Sequence, residues 1–198
     1  MKSLKGTKTA ENLMKSFAGE CQARTRYTYY ASIAKKQGYV QISNIFMETA
    51  EQEKEHAKRF YKLLKEDFSD ESIEIQSAYP VSFHQETAKN LKAAAEGENE
   101  EWTELYPAFA KIAKEEGFEE IAEIYNRISE VESRHERRYK KLLENIENNT
   151  VFKKSESVLW KCNNCGYIYE GEEAPSVCPA CQHPQGYFEV FIEKIGRA

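Results

Sequence analysis

The chain has 198 residues and a formal net charge of −5, with 28 basic and 33 acidic side chains mixed along it. This length accommodates one large core, or a medium domain joined to a small one. The mixed charges leave no basic stripe for nucleic acid and no polybasic patch for a membrane surface, so we expect neither partner. A lysine-rich beginning without an apolar run, and no stretch of transmembrane length, predict a cytoplasmic protein.

Apolar residues at helical spacing predict two helices in the first third of the chain. The first covers residues 10–37 and ends at Gly38, a typical residue for a helix C-terminus. The second covers residues 40–66. Residues 67–85 contain Pro80 and show little periodicity, and a segment of this length predicts a crossover connection rather than a tight turn.

Two further helices follow the crossover. The third begins near residue 86 and contains Pro107 in its interior. Because proline has no backbone N–H and its ring clashes with the preceding turn, we expect a kink or local unwinding there. Gly117 ends this helix, and the fourth covers residues 119–147.

The two halves of this helical region are similar in sequence. The motif Thr9-Ala10-x-Asn12-Leu13 and the pair Gly19-Glu20 recur 78 residues later, as Thr87-Ala88-x-Asn90-Leu91 and Gly97-Glu98. One inserted residue then changes the offset to 79 for the later motifs. The two glycines are expected to let neighbouring helices approach closely. Two duplicated αα-hairpins joined by a long crossover predict a mainly α fold, a four-helix bundle of the ferritin-like kind.

The duplication also predicts a metal site. In Glu53-x-x-His56 and in Glu132-x-x-His135 the two side chains share one helix face and can bind the same ion. The first and third helices each add one glutamate, so the predicted ligands are Glu20, Glu53, His56, Glu98, Glu132 and His135. Mixed oxygen and imidazole ligands suit iron or manganese. The alternative is that each is a surface glutamate on an acidic helix, but inward carboxylates without a cation would cost several kcal/mol.

One acidic residue breaks the symmetry of the two halves. Glu101 lies one turn beyond Glu98 on the same face, whereas its counterpart in the first half is Ala23. A seventh ligand on one side gives one iron a choice between Glu101 and a residue nearby such as His56, and five carboxylates match two ferric ions better than four do.

Three other residues lie near the predicted ligands. Tyr27 and Tyr106 are within two turns of Glu20 and Glu101 and could donate hydrogen bonds to the ligating carboxylates, although ordinary core tyrosines would show the same spacing. Cys21 follows Glu20 directly, and we interpret it as a small buried hydrophobic residue.

A second metal site is predicted from four cysteines near the C-terminus. Cys162, Cys165, Cys178 and Cys181 form the pattern C-x2-C-x12-C-x2-C. In a reducing compartment this spacing indicates metal rather than disulfides, with four thiolates around one zinc or one iron. Zinc there would be structural, whereas iron could carry one electron.

The sequence predicts three regions. Residues 1–147 form the helical bundle, and the polar residues 148–157 form a linker. Residues 158–198 contain short β-rich segments and form a small ribbon that needs its metal in order to fold.

The chain resembles the rubrerythrins, in which a ferritin-like di-iron domain is fused to a C-terminal rubredoxin-like domain. The resemblance covers nearly the whole length. The motifs that carry it are Ala18-Gly19-Glu20, Glu53-x-x-His56, Gly97-Glu98-x-x-Glu101, Glu132-x-x-His135, Cys162-x-x-Cys165-Gly166-Tyr167 and Cys178-Pro179-x-Cys181. Glu101 resembles the asymmetric ligand of that family, and Tyr27 and Tyr106 match family positions. Cys21 stands where a small residue such as serine or alanine is expected.

The resemblance implies three irons per subunit, two in the carboxylate site and one held by the cysteines, with zinc as a possible substitute. It also implies a peroxidase of oxidative stress defence that reduces hydrogen peroxide to water. Electrons would come from NAD(P)H through a reductase or a rubredoxin, and the four-cysteine iron would pass them on. One iron would move from His56 to Glu101 on oxidation. The catalytic residues would be the seven carboxylate and imidazole ligands together with Tyr27 and Tyr106.

The resemblance further implies a head-to-tail homodimer. The rubredoxin-like domain of one subunit would lie near the di-iron site of the other, which a flexible linker permits. Some members of the family exchange helix pairs between subunits, and the long crossover makes that exchange possible here.

Two rival functions remain at this stage. A ferroxidase or iron-storage protein would share the fold, but it predicts a cage-forming oligomer and has no use for an electron carrier on every subunit. A non-enzymatic module with zinc in the ribbon would dock a partner, but it would have no reason to bury five glutamates.

Overall fold

The protein is described here by a computed structural model covering residues 2–193. The ends of the two predicted domains, at residue 1 and at 194–198, lie outside the described residues. Five α-helices form the larger domain: α1 (Lys8–Lys36), α2 (Val40–Phe68), α3 (Thr87–Glu100), α4 (Tyr106–Glu115) and α5 (Glu119–Glu147). Helices α3 and α4 together form the third helix of the predicted four-helix bundle, so this prediction is confirmed. Within residues 2–193, no helix is long and apolar enough to cross a membrane.

Each half of the bundle is a helical hairpin closed by the same turn. Helix α1 is capped by Gln37, and Gly38 follows with a φ of 82°. The corresponding Gly117 has a φ of 81°. In both turns, the left-handed backbone conformation of the glycine lets the chain reverse direction. A backbone N–H that follows the helix still donates a hydrogen bond to a carbonyl of the last helical turn. Both predicted helix ends are therefore confirmed.

The third helix is interrupted by a π-helical turn rather than by a simple kink. This turn covers Glu101–Leu105, and the N–H of Tyr106 donates to the carbonyl of Glu101, five residues earlier. Pro107 follows directly, at the start of α4, where a missing N–H costs little. The duplication offset changes from 78 at Glu98 to 79 at Gly117, so one extra residue lies between them. A π turn is how a helix accommodates one extra residue without breaking.

Two apolar clusters fill the bundle. One contains Tyr27, Tyr30, Phe46 and Tyr139, and the other contains Leu13, Phe60, Tyr106 and Tyr125. All eight side chains are at most 1–2% exposed. Full burial of an aromatic side chain of this size contributes roughly 1.5–3 kcal/mol. Since the predicted ligands lie between these clusters along the helices, the clusters supply the free energy that holds charged groups inward.

The crossover follows the outside of α1. Residues 69–86 contain neither helix nor strand. Tyr79 donates to the Lys15 carbonyl at 3.0 Å, and Tyr30 donates to the Ser82 carbonyl at 2.7 Å. These hydrogen bonds attach the crossover to the bundle.

The smaller domain is a three-stranded antiparallel sheet in the order β2-β1-β3. Its strands are β1 (Lys153–Cys162), β2 (Ile168–Glu173) and β3 (Phe188–Val190), packed around the buried Trp160. Strand β1 begins inside the range 148–157 that composition predicts as a linker. The polar side chains at its beginning are compatible with a strand because Lys153 pairs with Glu173 through the backbone.

The ribbon packs against the bundle at the turn between α1 and α2. A Cβ atom placed on Gly186 would lie only 2.2 Å from the Gly38 carbonyl oxygen. Only glycine allows the two backbones to approach this closely. The ribbon thus contacts one end of the bundle.

Candidate metal centres

The structure brings all six predicted bundle ligands together. One group consists of Glu20, Glu53, His56 and Glu132, and the other consists of Glu53, Glu98, Glu132 and His135. Within each group, one ligand atom from every residue lies within 4.8 Å of the others. Glu53 and Glu132 belong to both groups. The arrangement offers two adjacent positions for metal ions that share two carboxylates.

The two histidines face the shared carboxylates in equivalent ways. His56 Nδ1 lies 2.9 Å from Glu53 Oε2 and 2.9 Å from Glu132 Oε1. His135 Nδ1 lies 3.1 Å from Glu53 Oε1 and 2.8 Å from Glu132 Oε2. The sequence duplication therefore produces a near two-fold symmetry at the level of ligand atoms.

The buried polar atoms fit a pair of metal ions. Glu20, Glu53, Glu98 and Glu132 are at most 1% exposed. Among the described residues, Glu20 Oε2, Glu98 Oε2 and both oxygens of Glu132 have no hydrogen-bond partner. Buried carboxylates without partners cost several kcal/mol, and divalent cations would compensate them. The mixed oxygen and imidazole donors favour iron or manganese.

The four cysteines form the second site. The Sγ atoms of Cys162 and Cys181 are 3.7 Å apart, and those of Cys165 and Cys178 are also 3.7 Å apart. A tetrahedral metal with sulfur bonds of about 2.3 Å has sulfur–sulfur edges of about 3.8 Å, so the thiolates fit one ion. All four are free of disulfides.

Two matching turns present these thiolates. Gly166 N–H donates to the Cys162 carbonyl at 2.8 Å, and Gln182 N–H donates to the Cys178 carbonyl at 2.9 Å. Gly166 and Gln182 both have positive φ, at 77° and 60°. The cysteine spacing places each pair of sulfurs on one such turn.

Comparison with known protein families identifies both parts of the chain. The rubrerythrin family profile matches residues 11–143, and the profile for the rubredoxin-like domain of rubrerythrin matches residues 160–189. The chain belongs to the rubrerythrin family. The Glu/His cluster is accordingly the di-iron carboxylate site of a rubrerythrin, and the four cysteines form its rubredoxin-like site.

Individual rubrerythrins are similar over nearly the full length. The rubrerythrin of Clostridium perfringens (strain 13 / Type A) is 66% identical over 193 residues, covering 98% of this chain and 99% of that protein. The rubrerythrin of Nitratidesulfovibrio vulgaris is 50% identical over 191 residues, covering 96% and 98%. Among solved structures, nigerythrin in a mixed-valence state has a TM-score of 0.63 at 31% identity, covering 96% of this chain and 92% of that chain.

The di-iron bacterioferritin of Desulfovibrio desulfuricans is similar to the bundle alone. It has a TM-score of 0.65 at 25% identity and covers 72% of this chain and 82% of that chain. This likeness supports the ferritin-like architecture of the rubrerythrin bundle.

Without metal, protons occupy this rubrerythrin cluster. Burial raises the pKa of Glu98 to about 8, and the Glu53 charge adds to the shift. Burial opposes protonation of His56, but the adjacent Glu132 and Glu53 carboxylates outweigh it and raise its pKa to about 10. Burial likewise opposes ionisation of Glu53, yet the adjacent His135 and His56 imidazoles hold its pKa at about 2. Metal binding must therefore displace protons.

We expect the melting temperature of the metal-free protein to fall as the pH rises from about 6 to about 9. The raised pKa values of Glu98 and His56 mean that the folded form holds these protons more tightly than the unfolded chain. The two protonated groups stabilise the fold fully when the pH is below their pKa values in the unfolded chain. This stabilisation is lost as the pH rises through their raised pKa values in the folded protein. The lowered pKa of Glu53 affects stability only at acidic pH.

Calorimetry of the chelator-treated protein across this pH range checks the prediction, with a shift of several degrees expected. The metal-loaded protein is the control, because divalent ions replace the protons and should remove the fall. A metal-free melting temperature that rises over the same range would contradict the prediction.

The two tyrosines bind carboxylates of the opposite half. Tyr27 donates to Glu98 Oε1 at 2.5 Å, and Tyr106 donates to Glu20 Oε1. Burial raises the pKa of both phenols well above the usual range, so they remain donors. Each tyrosine occupies one oxygen of its glutamate and leaves the other free for a metal. Spacing along one helix predicts hydrogen bonding but not this crossed pairing.

Glu101 lies beside the cluster but outside both ligand groups. It is half-buried in the π turn. Burial raises its pKa well above the usual range, Glu98 and Glu132 add to the shift, and Arg26 opposes it. The choice of one metal between Glu101 and His56 stays a prediction. Cys21 is also outside the ligand groups and is half-buried rather than buried.

One functional contact was not predicted from the sequence. Gln52 Oε1 lies 3.0 Å from His135 Nε2, so it can hold the imidazole in the orientation that points Nδ1 at the cluster. The duplication places Val131 at the position equivalent to Gln52, which leaves His56 without the same support. This difference between the two halves was the feature of the sequence that could have predicted the contact between Gln52 and His135.

The two glycines before Glu20 and Glu98 do not act as expected. A Cβ atom on Gly19 would lie 3.7 Å from the Tyr79 ring, and one on Gly97 would lie 3.9 Å from Arg26 Nη2. Both are ordinary contacts with side chains. Close approach of helix backbones therefore does not require glycine at either position.

Proposed function

We propose that this chain is a non-haem di-iron peroxidase that reduces hydrogen peroxide to water in oxidative stress defence. Electrons would come from an NAD(P)H-linked reductase or a separate rubredoxin and pass through the four-cysteine iron. The observation that carries the proposal is that one chain combines a two-metal carboxylate site with a rubredoxin-like site. A peroxide needs two electrons, and a single-iron carrier can restore them one at a time.

The residues of the bundle have distinct roles in this proposal. When bound, the metal pair supplies two electrons and the Lewis acidity that polarises the peroxide. Glu53 and Glu132 would bridge the metals, because both belong to the two ligand groups. Glu20 with His56, and Glu98 with His135, would complete the separate positions.

Other side chains position the ligands and provide flexibility. Tyr27 and Tyr106 hold one oxygen of Glu98 and Glu20 and keep these carboxylates in place. Glu101 would serve as the alternative ligand to His56. This role is supported by its closeness to Glu98 and Glu132, whose charges affect the pKa of Glu101. The surrounding aromatic clusters exclude water from the reacting atoms.

We also propose a head-to-tail homodimer. The ribbon contacts the bundle beside Gly38, at the end of α1. Glu53 lies 13 residues beyond Val40 along α2, which corresponds to about 20 Å of helix. Electron transfer slows steeply with distance, so a second copy that places its ribbon closer to the cluster would transfer electrons faster. The five cysteines are all free of disulfides, which fits a reducing location such as the cytoplasm.

An anaerobic oxidation experiment tests the proposed function. The iron-loaded protein is reduced until the colour of the thiolate-bound iron bleaches, and one equivalent of hydrogen peroxide is added. We expect fast recovery of the colour in the parent and at least a 100-fold slower recovery in Glu98→Ala, which lacks one metal ligand. The matched control is Glu96→Ala on the same helix, whose exposed carboxylate pairs with Lys92 at 3.9 Å.

The result also separates the peroxidase from its main alternative. Equally slow recovery in the parent and in Glu98→Ala, with iron confirmed at both sites, would contradict a peroxidase. The likeness to bacterioferritin favours a ferroxidase as the alternative. That function predicts a cage-forming oligomer that accumulates iron mineral.

A further inference from the structure

A cavity of about 360 Å³ lies between α1, the π turn and the crossover. One end is polar and includes Arg26, Glu101 and Tyr106. The rest of its lining includes apolar surface from Tyr79, Pro80, Leu105 and Phe109, together with further polar side chains such as Lys15 and Gln76. The cavity therefore offers both polar and apolar contacts within one partly open space.

The polar end is also the outer wall of the di-iron site. Tyr106 donates to Glu20, one of the predicted ligands. Glu101 lines the cavity and is close enough to Glu20 and Glu98 for their charges to interact, so the cavity adjoins the cluster. A molecule in the cavity with its polar group beside Glu101 would reach the metals from this side.

The cavity is much larger than hydrogen peroxide requires. A water molecule takes up about 30 Å³ in the liquid, and hydrogen peroxide has only two oxygen atoms. A volume of 360 Å³ lies instead in the range of about 300–1,000 Å³ found for pockets that hold small organic molecules. Gly19 and Gly97 line it, and since no backbone contact requires glycine there, their lack of side chains serves to keep the space open.

A buried donor at the polar end is also available. Among the described residues, Arg26 Nε is buried without a hydrogen-bond partner. Nη1 of the same guanidinium donates to Ser82 Oγ at 3.2 Å and to the Tyr30 hydroxyl at 3.5 Å. An oxygen of a bound molecule would accept a hydrogen bond from the unpaired Nε–H.

We propose that this cavity binds alkyl hydroperoxides and that the chain reduces them in addition to hydrogen peroxide. The O–O group would lie between Arg26 and Glu101, and the alkyl or aryl group would lie against Leu105, Phe109 and Tyr79. The hydroperoxide takes up two electrons from the reduced metals and two protons, its O–O bond breaks, and an alcohol and one water leave. The inference rests on the proposed peroxidase function, which supplies the electrons.

Cavity-filling variants test the proposal. Leu105→Trp fills the cavity from the π turn, and Ala78→Trp fills it from the crossover. If one variant disturbs its local structure, the other still tests the proposal. We expect the ratio of kcat/KM for cumene hydroperoxide to that for hydrogen peroxide to fall at least tenfold in each. Ala108→Trp is the matched control, because Ala108 is exposed and does not line the cavity. This control should keep the parent ratio.

A binding measurement provides a readout that does not depend on turnover. The product alcohol of cumene hydroperoxide, 2-phenylpropan-2-ol, is titrated calorimetrically into the oxidised metal-loaded protein. We expect binding to the parent and to Ala108→Trp, and at least tenfold weaker binding to the two filled variants.

The outcomes separate this proposal from the function on which it rests. Reduction of hydrogen peroxide without reduction of cumene hydroperoxide, and without binding of the alcohol, would overturn the proposal and leave the peroxidase intact. An unchanged substrate ratio in both filled variants would overturn it as well. If neither peroxide oxidises the fully iron-loaded protein, the peroxidase function fails and the substrate assignment falls with it.

Discussion

Replacing Glu132 by glutamine is expected to remove both irons from the bundle and to leave the four-cysteine iron in place. Glu132 belongs to both ligand groups, is fully buried, and has two oxygens without hydrogen-bond partners among the described residues. Glutamine keeps the shape but loses the charge and one oxygen. We expect the iron content to fall from about three to about one per chain, and peroxide turnover to fall at least 100-fold.

Metal analysis and turnover are measured together in this test. Circular dichroism should show an unchanged helix content, because the substitution keeps the side-chain volume. The control is Glu130→Gln on the same helix, where the exposed carboxylate pairs with Arg127. Exposed pairs of this kind contribute about 1 kcal/mol or less, so iron and activity should be retained. Retention of two bundle irons by Glu132→Gln would show that this glutamate is not the shared ligand.

Replacing Cys178 by serine is expected to separate the two domains in function. Cys178 is fully buried, and its sulfur lies 3.7 Å from that of Cys165. Loss of one thiolate removes the ion that a small ribbon needs in order to fold. The absorption of the thiolate-bound iron should disappear, and sustained turnover with an electron donor should fall by at least about 100-fold. A single oxidation of the bundle irons by peroxide should remain, because the bundle has its own core.

Cys21→Ser is the control for this substitution. Cys21 is half-buried and lies outside both metal-ligand groups, so its loss should change neither iron content nor turnover. Continued turnover in Cys178→Ser at the parent rate would contradict a role for the ribbon as the electron carrier. Loss of the bundle irons in the same variant would contradict independent folding of the two domains.

Local spacing was sufficient to predict much of this protein. Glu53 and His56 lie three residues apart on a helix, and that spacing places them on one face in any tertiary structure. The repeat of this pair at Glu132 and His135 predicted a second face with the same chemistry. The cysteine spacing worked in the same way, because each C-x2-C pair closes its own turn. These features depend on backbone geometry over a few residues.

Contacts between distant segments could not be read from spacing. Tyr27 and Tyr106 bond glutamates of the opposite half, and Gln52 supports His135 across 83 residues. Which helix faces meet depends on how the two aromatic clusters pack, and one sequence does not specify that register.

The π turn shows where local and tertiary information combine. Pro107 predicted an irregularity, and the change in duplication offset indicated one extra residue. Whether that residue would produce a kink, a break or a π turn depended on the surroundings. Trp102 of the turn donates to the buried Glu136 at 2.6 Å, and Ser129 donates to the Trp102 carbonyl at 3.1 Å. The hydrogen bond from Ser129 satisfies a backbone carbonyl of the turn, which would otherwise cost free energy if it were buried and unpaired. Together the two contacts attach the turn to α5, and Glu101 belongs to this turn.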